Sequence, residues 1–129
     1  MSHKSKGCDA ERELIHLFWQ TNIWTACRVA GSGSMHYPAP DILAAKEFRR
    51  FAIECKSCKD KYQYVEKREI EELKKFSQLT NSEPIIALRF IKEEWIFLVP
   101  DQLKETDKNF VVSKDGAKKI GKLFKELIK

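Results

Sequence analysis

The sequence has no long hydrophobic run. A helix that spans a bilayer needs about 20 consecutive, mostly apolar residues, and no segment of this chain approaches that length. The N-terminal segment Met1–Lys6 is polar and lacks the apolar stretch of a secretory signal peptide. We therefore expect neither a membrane-spanning nor a secreted protein but a cytoplasmic one without membrane contact.

Cysteine is scarce and is not spaced as a metal-binding framework. The chain has four cysteines, at positions 8, 27, 55 and 58. Cys55 and Cys58 are three positions apart, but the other two do not form a second such pair, so a four-thiolate zinc site is poorly supported. Structural disulfides are not expected in a reducing compartment, and Cys55 is interpreted as a small core residue.

The chain also lacks a P-loop. No Gly-Lys-Ser/Thr follows the segment Gly31-Ser-Gly-Ser34 at the required spacing. A segment of this composition is most often an ordinary connection. Because this one lies between the first predicted helix and an acidic motif, Ser32 or Ser34 could also donate a hydrogen bond to a phosphate.

Neither sign of charge dominates strongly, although the chain is basic. Lys and Arg number 24 against 19 Asp and Glu, which gives a net charge of +5 over 129 residues. This length predicts a single domain, residues 1–129, with a real hydrophobic core. The positive excess favours an acidic partner, nucleic acid first. An ordinary basic, soluble protein is the alternative.

The apolar periodicity predicts an α/β fold with a mixed sheet. A helix from about Gly7 to Gln20 has Leu14, Ile15 and Phe18 on one side. Three strands, a helix, two strands and a final helix are predicted after it, over 25–30, 41–45, 51–57, 66–79, 84–90, 94–99 and 113–129. Residues 59–64 are interpreted as a polar connection. The order α-β-β-β-α-β-β-α is typical of a mixed β-sheet flanked by helices.

The predicted strand over residues 94–99 is apolar on both faces. Such a strand must be covered on each face, by helices or by a second subunit. Trp95 and Phe97 are candidate anchors for a partner subunit. The alternative, given equal weight, is that the final helix covers this strand within one chain.

Glu11 projects into the apolar stripe of the first predicted helix. At about 100° per residue it falls beside Leu14 and Phe18, whereas Glu13 lies off the stripe. A carboxylate on an inward stripe is expensive to bury without a partner. Either Glu11 lies in the first turn, close to solvent and to the favourable helix dipole, or it points into a polar site beside the core. We prefer the second interpretation.

Three charged residues have the spacing of a metal-dependent phosphodiesterase site. Asp41 follows Pro40 at the start of one predicted strand, and Glu54 and Lys56 lie in the strand predicted to form a hairpin with it. Side chains alternate across a strand, so Glu54 and Lys56 share one face and Cys55 points to the other. Carboxylate oxygens select magnesium or manganese over zinc, and a nearby ammonium can position water. A solvated sheet face is the alternative.

A family resemblance is carried by six short segments: Lys6-Gly7, Glu11-Arg12-Glu13-Leu14, Arg28-Val-Ala-Gly-Ser-Gly-Ser34, Pro40-Asp41-Ile42, Ile53-Glu-Cys-Lys-Ser57 and Tyr64-Val65. In this order they resemble archaeal-type Holliday junction resolvases (the Hjc family), which belong to the PD-(D/E)xK, or restriction-endonuclease-like, nuclease superfamily. The resemblance implies that fold, together with a homodimer that binds four-way DNA junctions. It also implies symmetric cutting of paired strands with magnesium, for which manganese is expected to substitute.

The resemblance implies roles for individual residues. Asp41 and Glu54 would be metal ligands, and Lys56 would orient the attacking water or stabilise the developing negative charge. Glu11 would complete the acidic site, directly or through water. Ser32 matches a loop serine that is tied to catalysis in part of the family.

DNA contact is expected mostly through basic side chains and phosphates, because junction recognition reads shape rather than base sequence. Arg12 and Arg28 match basic positions that the resemblance implies for this role. Further candidates flank the acidic motif, although each alone is more often a solubilising surface charge: Lys4, Lys6, Lys59, Lys61, Lys67 and Arg68.

Two rival functions belong to the same fold. The first is a related nuclease that acts on a different structure, such as a flap, a mismatch or a modified duplex. The second is an inactive DNA-binding module, which would have no reason to keep the full set of acids and lysine. A sliding clamp or a branch-migration motor is a candidate recruiting partner for a junction-cutting enzyme.

Overall fold

The structure is a computed structural model that describes residues 3–29 and 37–129, with side chains from residue 9 onward. A short 3-10 helix follows the sixth strand at Pro100–Gln102. In chain order the other elements are α1 (His3–Gln20), β1 (Thr25–Arg28), β2 (Ile42–Lys46), β3 (Arg49–Cys58), β4 (Tyr62–Glu66), α2 (Lys67–Thr80), β5 (Glu83–Phe90), β6 (Trp95–Leu98), β7 (Lys104–Glu105), β8 (Asn109–Ser113), α3 (Lys114–Ile120) and α4 (Phe124–Leu127).

Five of the strands form one mixed sheet in the order β1-β2-β3-β5-β6. Strands β3 and β5 pair in parallel, whereas the other neighbours in this sheet are antiparallel. A parallel pair needs a crossover connection, which here contains β4 and α2. Strands β4, β8 and β7 form a second, smaller sheet. The mixed sheet with flanking helices that the sequence predicts is confirmed.

The hydrophobic core lies on both faces of the five-stranded sheet. On the side of α1, Phe18, Trp24 and Phe51 form an aromatic cluster in which the rings of Trp24 and Phe51 stack at 4.8 Å. On the other side, Ile70 and Leu73 of α2 pack over the sheet. These clusters hold both faces of β3 in place.

Alternation along β3 decides which of its side chains meets which helix. Phe51 and Ile53 belong to the cluster under α1, and Cys55 packs against the same cluster. Ala52 and Cys58 belong to the cluster under α2. Glu54 and Lys56 lie between those two in the alternation and therefore face α2. The sequence predicts that they share one face, opposite Cys55, and this is confirmed.

The sequence did not predict the three strands of the second sheet, β4, β8 and β7, and β4 was missed because its signal is weak. Residues 59–64 were predicted to be a polar connection, but β4 begins at Tyr62 and pairs antiparallel with β8, with Tyr64 opposite Val111. Only Val65 of this strand is fully buried, and Tyr62 and Tyr64 are more than half exposed. Its pairing partner, β8, is far away in sequence. The sequence around β4 therefore has no hairpin pattern that would predict a strand.

The prediction of one C-terminal helix over 113–129 is wrong, because the chain forms two short helices there, α3 and α4. Between them, Lys122 pairs with Phe97 as an extra rung at the edge of β6, with backbone N···O distances of 2.8 and 2.9 Å. A continuous helix could not donate and accept these two hydrogen bonds. The lysine-rich composition favours a helix. Backbone hydrogen bonding to the edge of β6 outweighs that preference at Lys122.

The same segment covers β6 within the chain. Trp95 and Phe97 are buried, and the Phe97 ring lies 6.1 Å from that of Phe124 in α4. The interpretation of Trp95 and Phe97 as anchors for a partner subunit is therefore wrong, and the alternative of coverage within one chain is the correct one. No helix of the described residues is long and apolar enough to cross a membrane.

Gly121 allows the close approach between the end of α3 and strand β6. A Cβ atom at this position would collide with the Ile96 side chain and would lie 2.7 Å from the carbonyl oxygen of Ala117. We expect Gly121→Ala to lower the free energy of unfolding by about 1–3 kcal/mol through overpacking. Chemical denaturation would measure this loss, with the exposed Lys119→Ala as a matched control. Equal stability of the two variants would contradict this account of the contact.

Candidate active site

Asp41 is fixed by strands on both of its sides. Its backbone N–H donates to the carbonyl oxygen of Ile53 at 2.9 Å, and its own carbonyl accepts from the N–H of Val29 at 2.8 Å. Its carboxylate Oδ2 also accepts from the backbone N–H of Cys55 at 2.9 Å. Three hydrogen bonds from neighbouring strands thus determine where this carboxylate lies.

Glu54 meets Asp41 across the β2–β3 hairpin. Ile42 pairs with Ile53 in the antiparallel register, so the next rung puts Asp41 opposite Glu54 with both side chains on one face. The two carboxyl groups are hydrogen-bonded. Burial, and then the hydrogen bond and negative charge of Asp41, raise the pKa of Glu54 to about 10. Burial and the neighbouring Asp41 thus disfavour the ionised form of Glu54 while no cation is bound.

Lys56 faces the first turn of α2. Its Nζ lies 2.6 Å from Oε2 of Glu69, and the two side chains are only 24% and 19% exposed. Burial alone would lower the pKa of Lys56, but the hydrogen bond and charge of Glu69, with Glu54 and Asp41, outweigh it and raise the pKa. Lys56 is therefore an ammonium group, suited to stabilising negative charge rather than accepting a proton.

Glu11 reaches the same region from α1. Its side chain is 16% exposed, and its Oε1 accepts from Nε of Arg28 at 3.0 Å. Burial, and next the charge of Asp41, raise the pKa of Glu11, while Arg28 opposes the shift. The interpretation of Glu11 as a first-turn residue near solvent is wrong, because α1 begins at His3 and puts Glu11 two turns further on. The preferred inward orientation agrees with the structure.

The chemistry of the acidic side chains fits a hard divalent cation. Among residues 3–29 and 37–129, no three His, Cys, Asp or Glu side chains converge closely enough to hold a metal ion by themselves. Asp41 and Glu54 do meet, and burial together with the charge of Asp41 raises the pKa of Glu54. A bound cation would neutralise the charge of both carboxylates, and their oxygens suit magnesium. The ligand set Glu11, Asp41 and Glu54 stays a prediction.

The basic residues predicted to contact DNA are distributed over several elements. Arg12 lies on the exposed side of α1, 3.7 Å from Asp9, and Arg28 contacts Glu11. Arg68, in α2, forms ion pairs with Glu66 and Glu72. Lys59 is exposed beyond the end of β3. Four of the positions named from the sequence lie outside the described residues and side chains: Ser32, Ser34 and the side chains of Lys4 and Lys6.

Glu69 is the site residue that sequence reasoning missed. It contacts Lys56, yet neither the acidic motif nor the family resemblance pointed to it. A signal was available, because Glu69 lies four positions before Leu73 and thus on the inward stripe of the predicted second helix. The projection that singled out Glu11 in the first helix would have singled out Glu69 in the second.

Glu13 has a structural role that its place off the apolar stripe did not suggest. Its Oε1 accepts from Nε1 of Trp95 at 2.7 Å and from Nε of Arg89 at 2.9 Å. This carboxylate therefore joins α1 to the sheet through β5 and β6. It takes no part in the contacts of Asp41, Glu54 and Lys56 described above.

Comparison with known proteins gives one consistent result. A family model described as "Archaeal holliday junction resolvase (hjc)" matches residues 2–129. The crossover junction endodeoxyribonuclease Hjc of Archaeoglobus fulgidus is 35% identical over 130 residues, with 95% of each chain covered. The crossover junction endodeoxyribonuclease Hje of Saccharolobus islandicus is 36% identical over 126 residues, covering 95% of this chain and 90% of that protein.

A solved structure extends the similarity to three dimensions. The 1.6 Å structure of A. fulgidus Hjc, a Holliday junction resolvase from an archaeal hyperthermophile, superposes with a TM-score of 0.89 at 31% identity. The match covers 95% of this chain and 100% of that one. The architecture described above is thus shared along nearly the whole chain.

Two glutamates of α1 allow a matched comparison of site and scaffold. We expect Glu11→Gln to slow cleavage of a four-way DNA junction about tenfold or more, because it removes a carboxylate that acts on Asp41. Glu13→Gln changes the same charge on the same helix, and we expect it to lower the melting temperature slightly but to leave the cleavage rate near that of the wild type. Cleavage time courses and thermal denaturation of both variants would measure this. Equal rates for both variants would remove Glu11 from the site.

Proposed function

The chain belongs to the archaeal Holliday junction resolvase family, and we propose that it resolves four-way DNA junctions as a homodimer by magnesium-dependent hydrolysis at Asp41, Glu54 and Lys56. Its relatives are named as crossover junction endodeoxyribonucleases, and the chain is an enzyme of this class. The observation that carries the proposal for the site is the buried contact between the carboxyl groups of Asp41 and Glu54, with the Lys56 ammonium beside them.

Asp41 and Glu54 would hold the magnesium ion, and Glu11 would complete the acidic set directly or through water. When bound, such an ion supplies Lewis-acid stabilisation of phosphate charge and lowers the pKa of water. The backbone hydrogen bonds to Asp41 fix its carboxylate before any ion arrives. This preorganisation supports a role for the hairpin in metal binding. Manganese, which also prefers oxygen ligands, would substitute.

Lys56 would act as a fixed positive charge. Hydrolysis of a phosphodiester places extra negative charge on the phosphate oxygens in the transition state, and a cation held in a partly buried site stabilises that charge strongly. The raised pKa of Lys56 keeps its ammonium protonated at neutral pH. The lysine would therefore stabilise the phosphate or orient a water molecule, rather than remove a proton from it.

A homodimer follows from the chemistry of the substrate. The part of the chain that the structure describes forms one such acidic site, and resolution of a junction into two duplexes needs two coordinated cuts, one per chain. Because β6 is covered within its own chain, the surface that pairs two copies would lie on other elements. Two copies related by a two-fold axis would present their sites symmetrically to the two cut strands.

A substrate comparison tests the proposal. Purified protein is offered a four-way junction, a linear duplex and a nicked duplex, each with magnesium and with chelator. We expect symmetric cuts in the junction alone, with binding but no cutting under chelation. If the linear duplex were cut as fast as the junction, the assignment as a resolvase would be wrong and the assignment as a nuclease would stand. Binding without any cutting in magnesium or manganese would favour the inactive DNA-binding module.

Substitutions at the site give a second test. We expect Asp41→Asn, Glu54→Gln and Lys56→Ala each to lower the cleavage rate by at least about 100-fold, because each removes a charge that acts on the phosphate or the metal. Junction affinity should stay within roughly threefold, since phosphate contacts elsewhere supply most of the binding energy. Single-turnover kinetics and equilibrium binding would measure the two quantities.

The controls for these variants are Glu71→Gln and Lys119→Ala, which remove the same charges from exposed helical positions. Both controls should cut at the wild-type rate. If Glu54→Gln cut as fast as they do, the assignment of the site to the β2–β3 hairpin would be wrong.

A further inference from the structure

Glu69 uses both of its carboxylate oxygens. Oε2 lies 2.6 Å from Nζ of Lys56, and Oε1 accepts a hydrogen bond from the backbone N–H of Glu66 at 3.3 Å. In the second contact the side chain of Glu69, the third residue of α2, caps the backbone N–H of the N-cap residue Glu66. One side chain therefore joins Lys56 to the start of α2.

Both ends of this link are held by the core. Lys56 pairs with Leu88 across the parallel β3–β5 ladder, and Leu88 is fully buried. On the side of Glu69, the residues Ile70 and Leu73 anchor the first turns of α2 against the sheet. Neither strand nor helix can shift without disturbing packed residues, so the distance between Lys56 and Glu69 is set by the fold.

Lys56 needs such a partner more than a shorter side chain would. A lysine ammonium lies at the end of a flexible four-carbon stem and has no preferred direction of its own. Glu54 and Asp41 also attract it, and an ammonium drawn fully onto those carboxylates would compete with a cation for them. Glu69 offers Lys56 another carboxylate, which comes from α2 rather than from the β2–β3 hairpin.

We propose that Glu69 is a positioning residue of the nuclease site, which holds the Lys56 ammonium between α2 and the carboxylates of Asp41 and Glu54. In this position the ammonium stabilises the phosphate without occupying the place of the metal. The inference rests on the proposed function, because it assigns a task to Lys56. It adds α2 to the elements that build the site.

Two substitutions, Glu69→Gln and Glu69→Asp, distinguish the positioning of Lys56 from the capping of α2. Glu69→Gln keeps the size of the side chain and one oxygen that can accept the Glu66 N–H, but it removes the negative charge opposite Lys56. Glu69→Asp keeps the charge on a shorter stem. The matched control is Glu71→Gln, which removes a carboxylate from an exposed position of the same helix.

The measurements are the single-turnover cleavage rate of a four-way junction in saturating magnesium, the junction Kd under chelation, and the melting temperature. We expect Glu69→Gln to cut about 10- to 100-fold more slowly, the effect of misplacing one catalytic group. Its Kd and melting temperature should stay close to those of Glu71→Gln. Glu69→Asp should recover part of the lost rate, and Glu71→Gln should match the wild type.

The outcomes distinguish this inference from the proposed function. If the wild type cuts junctions and Glu69→Gln cuts equally fast, the positioning role is wrong and the function stands. If Glu69→Gln loses melting temperature in proportion to its rate, and Glu69→Asp restores both together, the role is capping and the inference is overturned. If the wild type itself cuts no junction, the proposed function fails first.

Discussion

The contact between the carboxyl groups of Asp41 and Glu54 is the constraint on which the rest of the site depends. Two acids on one face of a hairpin repel each other, and burial makes that repulsion stronger. The fold nevertheless holds them together, because Asp41 is fixed by backbone hydrogen bonds from two neighbouring strands. The surrounding charges, Glu11 with Arg28 on one side and Lys56 with Glu69 on the other, are arranged around this pair.

The helices on both faces of the five-stranded sheet contribute residues to this arrangement. Helix α1 contributes Glu11 to the site and, through Glu13, a hydrogen bond that holds Trp95 in the sheet. Helix α2 contributes Glu69 on the opposite face. The central strand β3 passes between the layers and presents Glu54 and Lys56 to one of them and Cys55 to the other. In this part of β3, residues of the site thus alternate with a residue that packs against the core.

Sequence reasoning predicted those parts that follow a local rule. The hairpin of β2 and β3, the face shared by Glu54 and Lys56, and the inward direction of Glu11 all follow from strand and helix periodicity. Strand β4 and the break at Gly121 could not be found in this way, because each depends on a partner that is distant in the chain: Val111 for β4 and Phe97 for the segment after Gly121. Glu69 was accessible to the helical projection and was overlooked because no motif named it.

The crossover between the parallel strands β3 and β5 has a consequence for the activity of partly unfolded molecules. Helix α2 closes half of the hydrophobic core, and it also holds the partner of Lys56. A molecule in which this helix has locally opened would lose its buried apolar contacts and the anchor of its lysine in a single event. A copy in which α2 has opened would on this account lose its cutting activity together with that half of its core.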